Sequence, residues 1–345
     1  MMRLPGFRYR APRTVADAAA WLAENPGDTM LLGGGTDLLP NMKRRQQTPG
    51  TLIGLRAVSE LRDIRNGYGL TIGAGVTLSQ LAGDPSVRAA YPGLWQAVAQ
   101  VATPHLRNMG TIGGNLCLDT RCTYYDQNYE WRKAIDFCMK KDGQTCWVAT
   151  SSPRCLAVSS TDSAPMLQAL GASVTLVSSR GERVLPVSDL FANDGMHYLT
   201  RQPDEILTNV TLPSSDGWRS AYWKLRRRGS FDFPVAAAAV AAKLDGSDVV
   251  DVRIVLGAVA SRPVESERAA VVLRGRAITD EAIAEAAVAA SEVAKPMDNT
   301  DFDLVWRKGM VRILVSNALH EIRGDDMRAR RRQLARQELL IPTVS

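Results

Sequence analysis

A short apolar run, a glycine turn and a polar helix start follow one another twice early in this chain, in TMLLGGGTDLLPNMKRR and GLTIGAGVTLSQL. Such a stretch buries a strand, turns on residues that lack a Cβ, and resumes as a helix, which commits this part of the chain to an α/β arrangement. TLIGL, Thr51 to Leu55, reads as a further buried strand. TVADAAAWLAEN, from Thr14, spaces its apolar residues helically behind a threonine cap, and Asn25-Pro26-Gly27 stops it.

The remainder extends the pattern. A helical stretch near Leu94–Ala102 precedes HLRNMGTIGGNL, and CLAVSSTDSAPMLQALGASVTLVSSRGERVLPVSDLF reads as a short strand, a helix and a hairpin. EILTNVTLP adds another strand. Composition shifts after Pro213-Ser214-Ser215-Asp216-Gly217, which divides the chain into residues 1–216, 217–330 and a basic tail at 331–345. The second unit reads as three strands, with turns at Gly229 and Asp245-Gly246, followed by helices at Glu281–Ala294 and Leu304–Ile322. PVAAAAVAAKL within it is helix-permissive, yet its position between turns favours a strand. The class is α/β (α+β), and 345 residues suffice for two or three cores.

No apolar run approaches the roughly 18–20 residues of a membrane span, and MMRLPGFRYRAPRT lacks a signal-peptide core, so a cytoplasmic protein is expected. The net charge of +6 and the run RARRRQLAR raise the question of nucleic acid. Zinc-finger spacing, an RNP-like signature and aromatics interleaved with the basic residues are all missing, so a solvated helix face or an acidic partner is the better reading.

Gly33-Gly34-Gly35-Thr36 lies between a strand and a helix start, where free N–H groups and the positive helix end favour phosphate. A second loop of the same chemistry, Thr111-Ile112-Gly113-Gly114-Asn115, suggests a pair of nests gripping the pyrophosphate of a dinucleotide.

LLGGGTDL, IGAGVTLSQL, RNMGTIGGNLC, TDSAPMLQALGASVTL and KLRRRGSFDFPVAAAAV stand in the order found in the FAD-binding subunits of the xanthine dehydrogenase and carbon monoxide dehydrogenase family. The chain resembles that family over nearly its whole length. The resemblance implies a two-part FAD-binding domain followed by a smaller sheet-plus-helices domain. It implies that Thr29, Met30, Leu31, Leu32, Gly33, Gly34, Gly35 and Thr36, with Thr111, Ile112, Gly113, Gly114 and Asn115, hold the pyrophosphate and ribitol. Val101 is expected near the flavin or adenine, Asp162 on a cofactor hydroxyl, and Ile206 and Lys224 along the isoalloxazine. Asp162 also suits a helix cap, and Arg226, Arg227 or Arg228 serves as well as Lys224 for the flavin cation. The implied partners are a molybdopterin-containing large subunit and a 2Fe-2S small subunit, in a dimer of heterotrimers.

Every cysteine lies between Cys117 and Cys155. In a reducing compartment such crowding points to a metal or redox site. Cys117 belongs to the GGNLC motif and reads as a buried structural thiol. Cys122, Cys138, Cys146 and Cys155 remain, spaced C-x15-C-x7-C-x8-C. That spacing matches neither zinc knuckles nor a compact ferredoxin run, so zinc, a 4Fe-4S cluster and free thiols all stay open on spacing alone.

In most relatives GGNLC leads to the aspartate within about a dozen residues, whereas 46 residues here separate Asn115 from Asp162. A long insertion beside a cofactor is usually functional. A redox centre next to a flavin has an evident use, and the resemblance then implies a 4Fe-4S cluster. A flavin subunit of this kind is similar to family members that take electrons from ferredoxin and remove a phenolic hydroxyl from an aromatic acyl-CoA. Tyr124, Tyr125, Tyr129 and Trp131 are expected to give the insertion a small core, and Arg132, Lys133, Lys140 and Lys141 to steer an acidic ferredoxin. The rival readings are a self-contained FAD oxidoreductase with a zinc-stiffened loop, and a basic zinc module that binds nucleic acid.

Overall fold

The computed structural model describes residues 3–229, 231–300 and 302–335. β1 (Arg8–Arg10), α1 (Val15–Glu24), β2 (Thr29–Leu32), α2 (Leu38–Lys43) and β3 (Thr51–Gly54) open the chain, with the strands parallel in the order β1-β3-β2. Thr14 caps α1 by accepting a hydrogen bond from the Asp17 amide at 3.0 Å. Ala18, Ala19 and Leu22 then fall on one face and bury against Ile53 and Ile206.

The next elements are β4 (Ile64–Asn66), β5 (Leu70–Gly73), α3 (Leu78–Gly83), α4 (Pro85–Ala90), α5 (Pro92–Ala99), α6 (Pro104–Arg107) and α7 (Ile112–Leu116). After α8 (Tyr129–Ala134), inside the cysteine segment, come α9 (Ser163–Ala169), β6 (Ser173–Ser178), β7 (Gly181–Pro186) and β8 (Ile206–Leu212). The strands form an antiparallel sheet ordered β4-β5-β8-β6-β7. A capping box between Thr77 and Gln80 starts α3. The helix anticipated over Leu94–Ala102 instead starts at Pro92, whose fixed φ suits the first helical position, and ends before Val101. The strand anticipated before α9 is reduced to one bridge between Val158 and Arg121.

β9 (Trp218–Leu225), β10 (Ala236–Asp245), β11 (Asp248–Gly257) and β12 (Val264–Glu265) form an antiparallel sheet, and α10 (Glu267–Leu273), α11 (Asp280–Val293), α12 (Leu304–Arg323) and α13 (Arg328–Ala335) follow. The alanine run is a strand because both of its faces are buried. Ala237, Ala239 and Ala241 join the core built on the five-stranded sheet, while Ala236, Ala238, Val240 and Ala242 join the core beneath α10–α12. Period-two alternation sends successive side chains to opposite layers, and only small residues fit where helices press from both sides. Tertiary packing here overrides alanine's helix preference.

The basic run forms α13, and Arg331 departs from the solvated face anticipated for it. Arg331 is 4% exposed, lies 4.3 Å over the Trp223 ring, and donates to Glu321 Oε2 at 3.0 Å and to the Tyr222 carbonyl. Residues 336–345 of the expected tail lie outside the described residues. Glu321 also accepts from Gln96 Nε2 and Trp223 Nε1, each at 2.8 Å, so it ties α12 to both α5 and β9. Removing one partner of a buried pair leaves an uncompensated charge. Arg331→Met is therefore expected to cost about 3 kcal/mol, read as a lower urea midpoint with an unchanged slope, and adding Glu321→Gln should recover part of the loss.

Candidate functional site

The two glycine loops meet backbone to backbone. A Cβ on Gly34 would overlap the Met109 carbonyl and stand 2.8 Å from the Gly110 nitrogen, and one on Gly33 would lie 3.1 Å from Thr111 Oγ1. Gly34 is thus required by close approach, whereas Gly35 is required by its φ of +72°. Thr111 accepts from the Gly114 amide at 3.0 Å, and a Cβ on Gly113 would come within 2.7 Å of the Ala74 side chain. These contacts fix α7 against the end of β5.

A cavity opens on each side of the crossing. The smaller, about 220 Å³, takes in Thr29, Met30, Leu31 and Gly113. The larger, about 440 Å³, takes in Gly35, Thr36, Val101, Asn115, Ser160 and Asp162. Gly33, Gly34, Thr111 and Gly114 border both, so an elongated ligand can lie across the loops. Ser160 supplies a buried hydroxyl that has no hydrogen-bond partner within the protein, as a site built for a polar ligand would. Leu32, Ile112, Ile206 and Lys224 border neither cavity. Ile112 and Ile206 are core residues.

Asp162 occupies the residue before α9 but its side chain caps nothing. It accepts from Lys224 Nζ at 2.9 Å and from the Tyr222 hydroxyl at 2.8 Å, and Lys224 also donates to the Gln100 carbonyl at 3.2 Å. Burial pushes the Asp162 carboxyl up, opposed by the Lys224 ammonium and the Tyr222 hydrogen bond. Lys224 therefore stands behind Asp162 and aims it, while Arg228, paired with Asp232, lines the larger cavity.

Arg121 also lines that cavity, and the sequence carried no signal for it. Its guanidinium pairs with Asp37, donates to Asn41 Oδ1 at 3.2 Å and lies 4.7 Å over the Phe233 ring. Asp119 and Tyr198 complete this wall.

Cys122, Cys138, Cys146 and Cys155 are all buried and line one small cavity with Tyr124, Tyr125, Lys140 and Trp147. The chain reaches Cys138 through Asp136 and Phe137, both with φ near +60°, conformations that cost free energy in residues with a Cβ. Burial pushes the Cys122 thiol up to about 12 and the Cys155 thiol up to about 11. Among the described residues no group of three or more His, Cys, Asp or Glu could hold a metal ion. The thiols share a cavity and act on one another, Cys138 and Cys155 adding to the rise at Cys122, and Cys138 and Cys146 to that at Cys155. Cys117 is half-buried and borders the two larger cavities instead.

The basic residues of the insertion divide. The side chains of Arg132 and Lys140 are buried, Arg132 beside Asp142 and the Arg45 carbonyl and Lys140 on Asp119, Thr120 and the Gly195 carbonyl, so neither is available for steering; Lys133 is exposed and Lys141 partly so.

Residues 5–215 match the family described as FAD binding domain in molybdopterin dehydrogenase, and residues 220–322 match the CO dehydrogenase flavoprotein C-terminal domain. The chain is 30% identical to the carbon monoxide dehydrogenase medium chain of Hydrogenophaga pseudoflava, over 92% of this chain and 96% of that one. It is 33% identical to the aldehyde oxidoreductase FAD-binding subunit of Escherichia coli, over 77% and 85% respectively. Among solved structures, carbon monoxide dehydrogenase from H. pseudoflava superposes with a TM-score of 0.77 at 29% identity, covering 93% of this chain and 98% of that one. Quinoline 2-oxidoreductase from Pseudomonas putida 86 gives 0.73 at 28% identity, with the same coverage.

The loop geometry separates two glycines that look alike in sequence. Gly34→Ala forces backbone apart and should lower the thermal midpoint along with bound FAD. Gly114 has only Thr111 Oγ1 near its missing Cβ, at 3.1 Å. Gly114→Val should keep the fold and lose FAD, measured as flavin released per chain.

Proposed function

Because the chain belongs to the family of FAD-binding domains in molybdopterin dehydrogenases, we propose that it is the flavin and 4Fe-4S subunit of a 4-hydroxybenzoyl-CoA reductase. In that role it passes electrons from ferredoxin towards 2Fe-2S and molybdenum centres on partner subunits, in a cytoplasmic dimer of heterotrimers. The observation that carries the reading is the placement of four insertion thiols around one buried cavity beside the cofactor cavity.

FAD supplies two-electron chemistry that can proceed in single steps, and an iron-sulfur cluster supplies single-electron exchange. The chain's own residues do the rest. Backbone amides of the two glycine loops receive the pyrophosphate, and the Ser160 hydroxyl and Asp162 carboxylate meet polar groups of the cofactor. Lys224 and Tyr222 hold Asp162 in orientation. Cys122, Cys138, Cys146 and Cys155 hold the cluster, while Tyr124, Tyr125 and Trp147 keep water from it.

A zinc-stiffened loop fits less well. Four thiolates suit a zinc ion as well, but zinc has no redox chemistry and would exchange no electrons with the flavin. A cube takes one thiolate at each of its four irons, and four insertion thiols border this one cavity. The names of the relatives, medium chain and FAD-binding subunit, support the reading that this chain works beside partner subunits. Lys133 and Lys141 are the insertion lysines left to attract an acidic carrier.

Cys146→Ser is expected to lower iron and sulfide while leaving FAD in place, and Cys117→Ser to spare the cluster. Iron lost from Cys117→Ser but kept in Cys146→Ser overturns the ligand assignment. In the assembled complex, a cluster-free variant should lose ferredoxin-driven dehydroxylation yet still reduce artificial dyes through FAD. Ferredoxin-driven turnover at the wild-type rate without the cluster sinks the proposed electron path.

A further inference from the structure

One buried ion pair separates the thiol cavity from the cofactor cavity. Lys140 and Tyr125 line the thiol side, and Asp119 and Tyr198 line the cofactor side. Lys140 Nζ lies 2.8 Å from Asp119 Oδ1, 2.8 Å from Thr120 Oγ1 and 2.6 Å from the Gly195 carbonyl. It sits over the rings of Tyr125 and Tyr198, at 4.8 and 5.3 Å. Tyr125 in turn donates its hydroxyl to Asp119 Oδ2 at 3.0 Å. The two charged side chains are 6% and 5% exposed.

Three acceptors and two aromatic faces leave this ammonium no other position, so the pair has a fixed direction: positive towards the thiols, negative towards the cofactor. Charges so well removed from water act on their surroundings with little screening. A cation beside a cluster favours its reduced form, which carries one more negative charge, and charge and hydrogen bonding are among the factors that set cluster potentials. A carboxylate beside a flavin disfavours the electrons added to the ring.

We propose that the Lys140–Asp119 pair is an oriented charge wall that sets the reduction potentials of the groups on its two sides, raising the cluster's and lowering the flavin's. This rests on the cluster reading given above. Lys140 is then a positioning residue for charge, touching neither group's reacting atoms, and it is unavailable for docking a carrier.

The test compares the wild-type chain with Lys140→Gln, Asp119→Asn and the double variant. Lys140→Gln keeps a donor for Thr120 and Gly195 but removes the charge. Iron, sulfide and FAD are counted first, then each protein is titrated against mediators, with the cluster followed by electron paramagnetic resonance and the flavin by absorbance. The cluster midpoint should move down in Lys140→Gln, the flavin midpoint should move up in Asp119→Asn, and both shifts should appear together in the double variant. Variants with full cofactor content and unmoved midpoints overturn the wall. Should Lys140→Gln fail to fold or lose iron, Asp119→Asn decides, since an unmoved flavin midpoint there refutes the proposal. A wild-type chain with full FAD and no iron refutes the cluster reading instead, and the flavin shift in Asp119→Asn still decides the wall.

Discussion

The carbonyl of Met109 occupies the space that any side chain at Gly34 would need. That single contact lets the loop after β2 lie directly on the strand of backbone leading into α7. It adds a second link between two sheets that α1 already bridges by packing on Ile53 of β3 and Ile206 of β8, because β2 belongs to the three-stranded sheet and α7 is seated on β5 of the five-stranded one. The groove exists because of this approach. Were the loops held a side chain apart, the smaller and larger cavities would no longer share Gly33, Gly34, Thr111 and Gly114 as a common border.

The floor of the larger cavity depends on the last sheet rather than on the loops. Tyr222 and Lys224 are two apart on β9 and so share a face, which reaches Asp162; Trp223 points the other way, to Glu321 on α12. β10 holds β9 in place through a strand of alanines buried on both sides. A bulky residue in that run would push either α12 or α9 away. The orientation of the carboxylate that borders the larger cavity is thus set by packing between layers.

What the sequence disclosed follows from how local each feature is. Thr14, Thr77 and Thr111 cap the helices that start beside them, and the glycine loops lie where strand gives way to helix, because capping and turning are decided within a few residues. The cysteine cluster was visible as composition. Arg331, Lys140 and Arg121 were not visible, since a basic residue reads as surface unless its acceptors are known. Those acceptors are distant in the chain: Tyr222 and Glu321 for Arg331, Asp119 and Gly195 for Lys140, Asp37 for Arg121. Lys224 was singled out by family resemblance, and only the fold revealed that it acts on Asp162 from behind.

The insertion is pinched shut at its foot, and this explains how it coexists with an intact groove. Arg121 and Val158 exchange both backbone hydrogen bonds, at 2.8 and 2.7 Å, so the chain leaves and returns at one place. Asn299 clasps both legs, accepting from the Thr123 amide at 3.0 Å and donating to the Leu156 carbonyl at 2.7 Å. The entropic cost of closing such a loop grows only slowly with its length. Yet the foot is not inert. Arg121 holds Asp37 at the start of α2, and Asp119 carries Lys140, so two charged contacts run from the insertion into the wall of the cofactor cavity. A charge placed among the thiols would therefore act across that wall without any movement of the backbone.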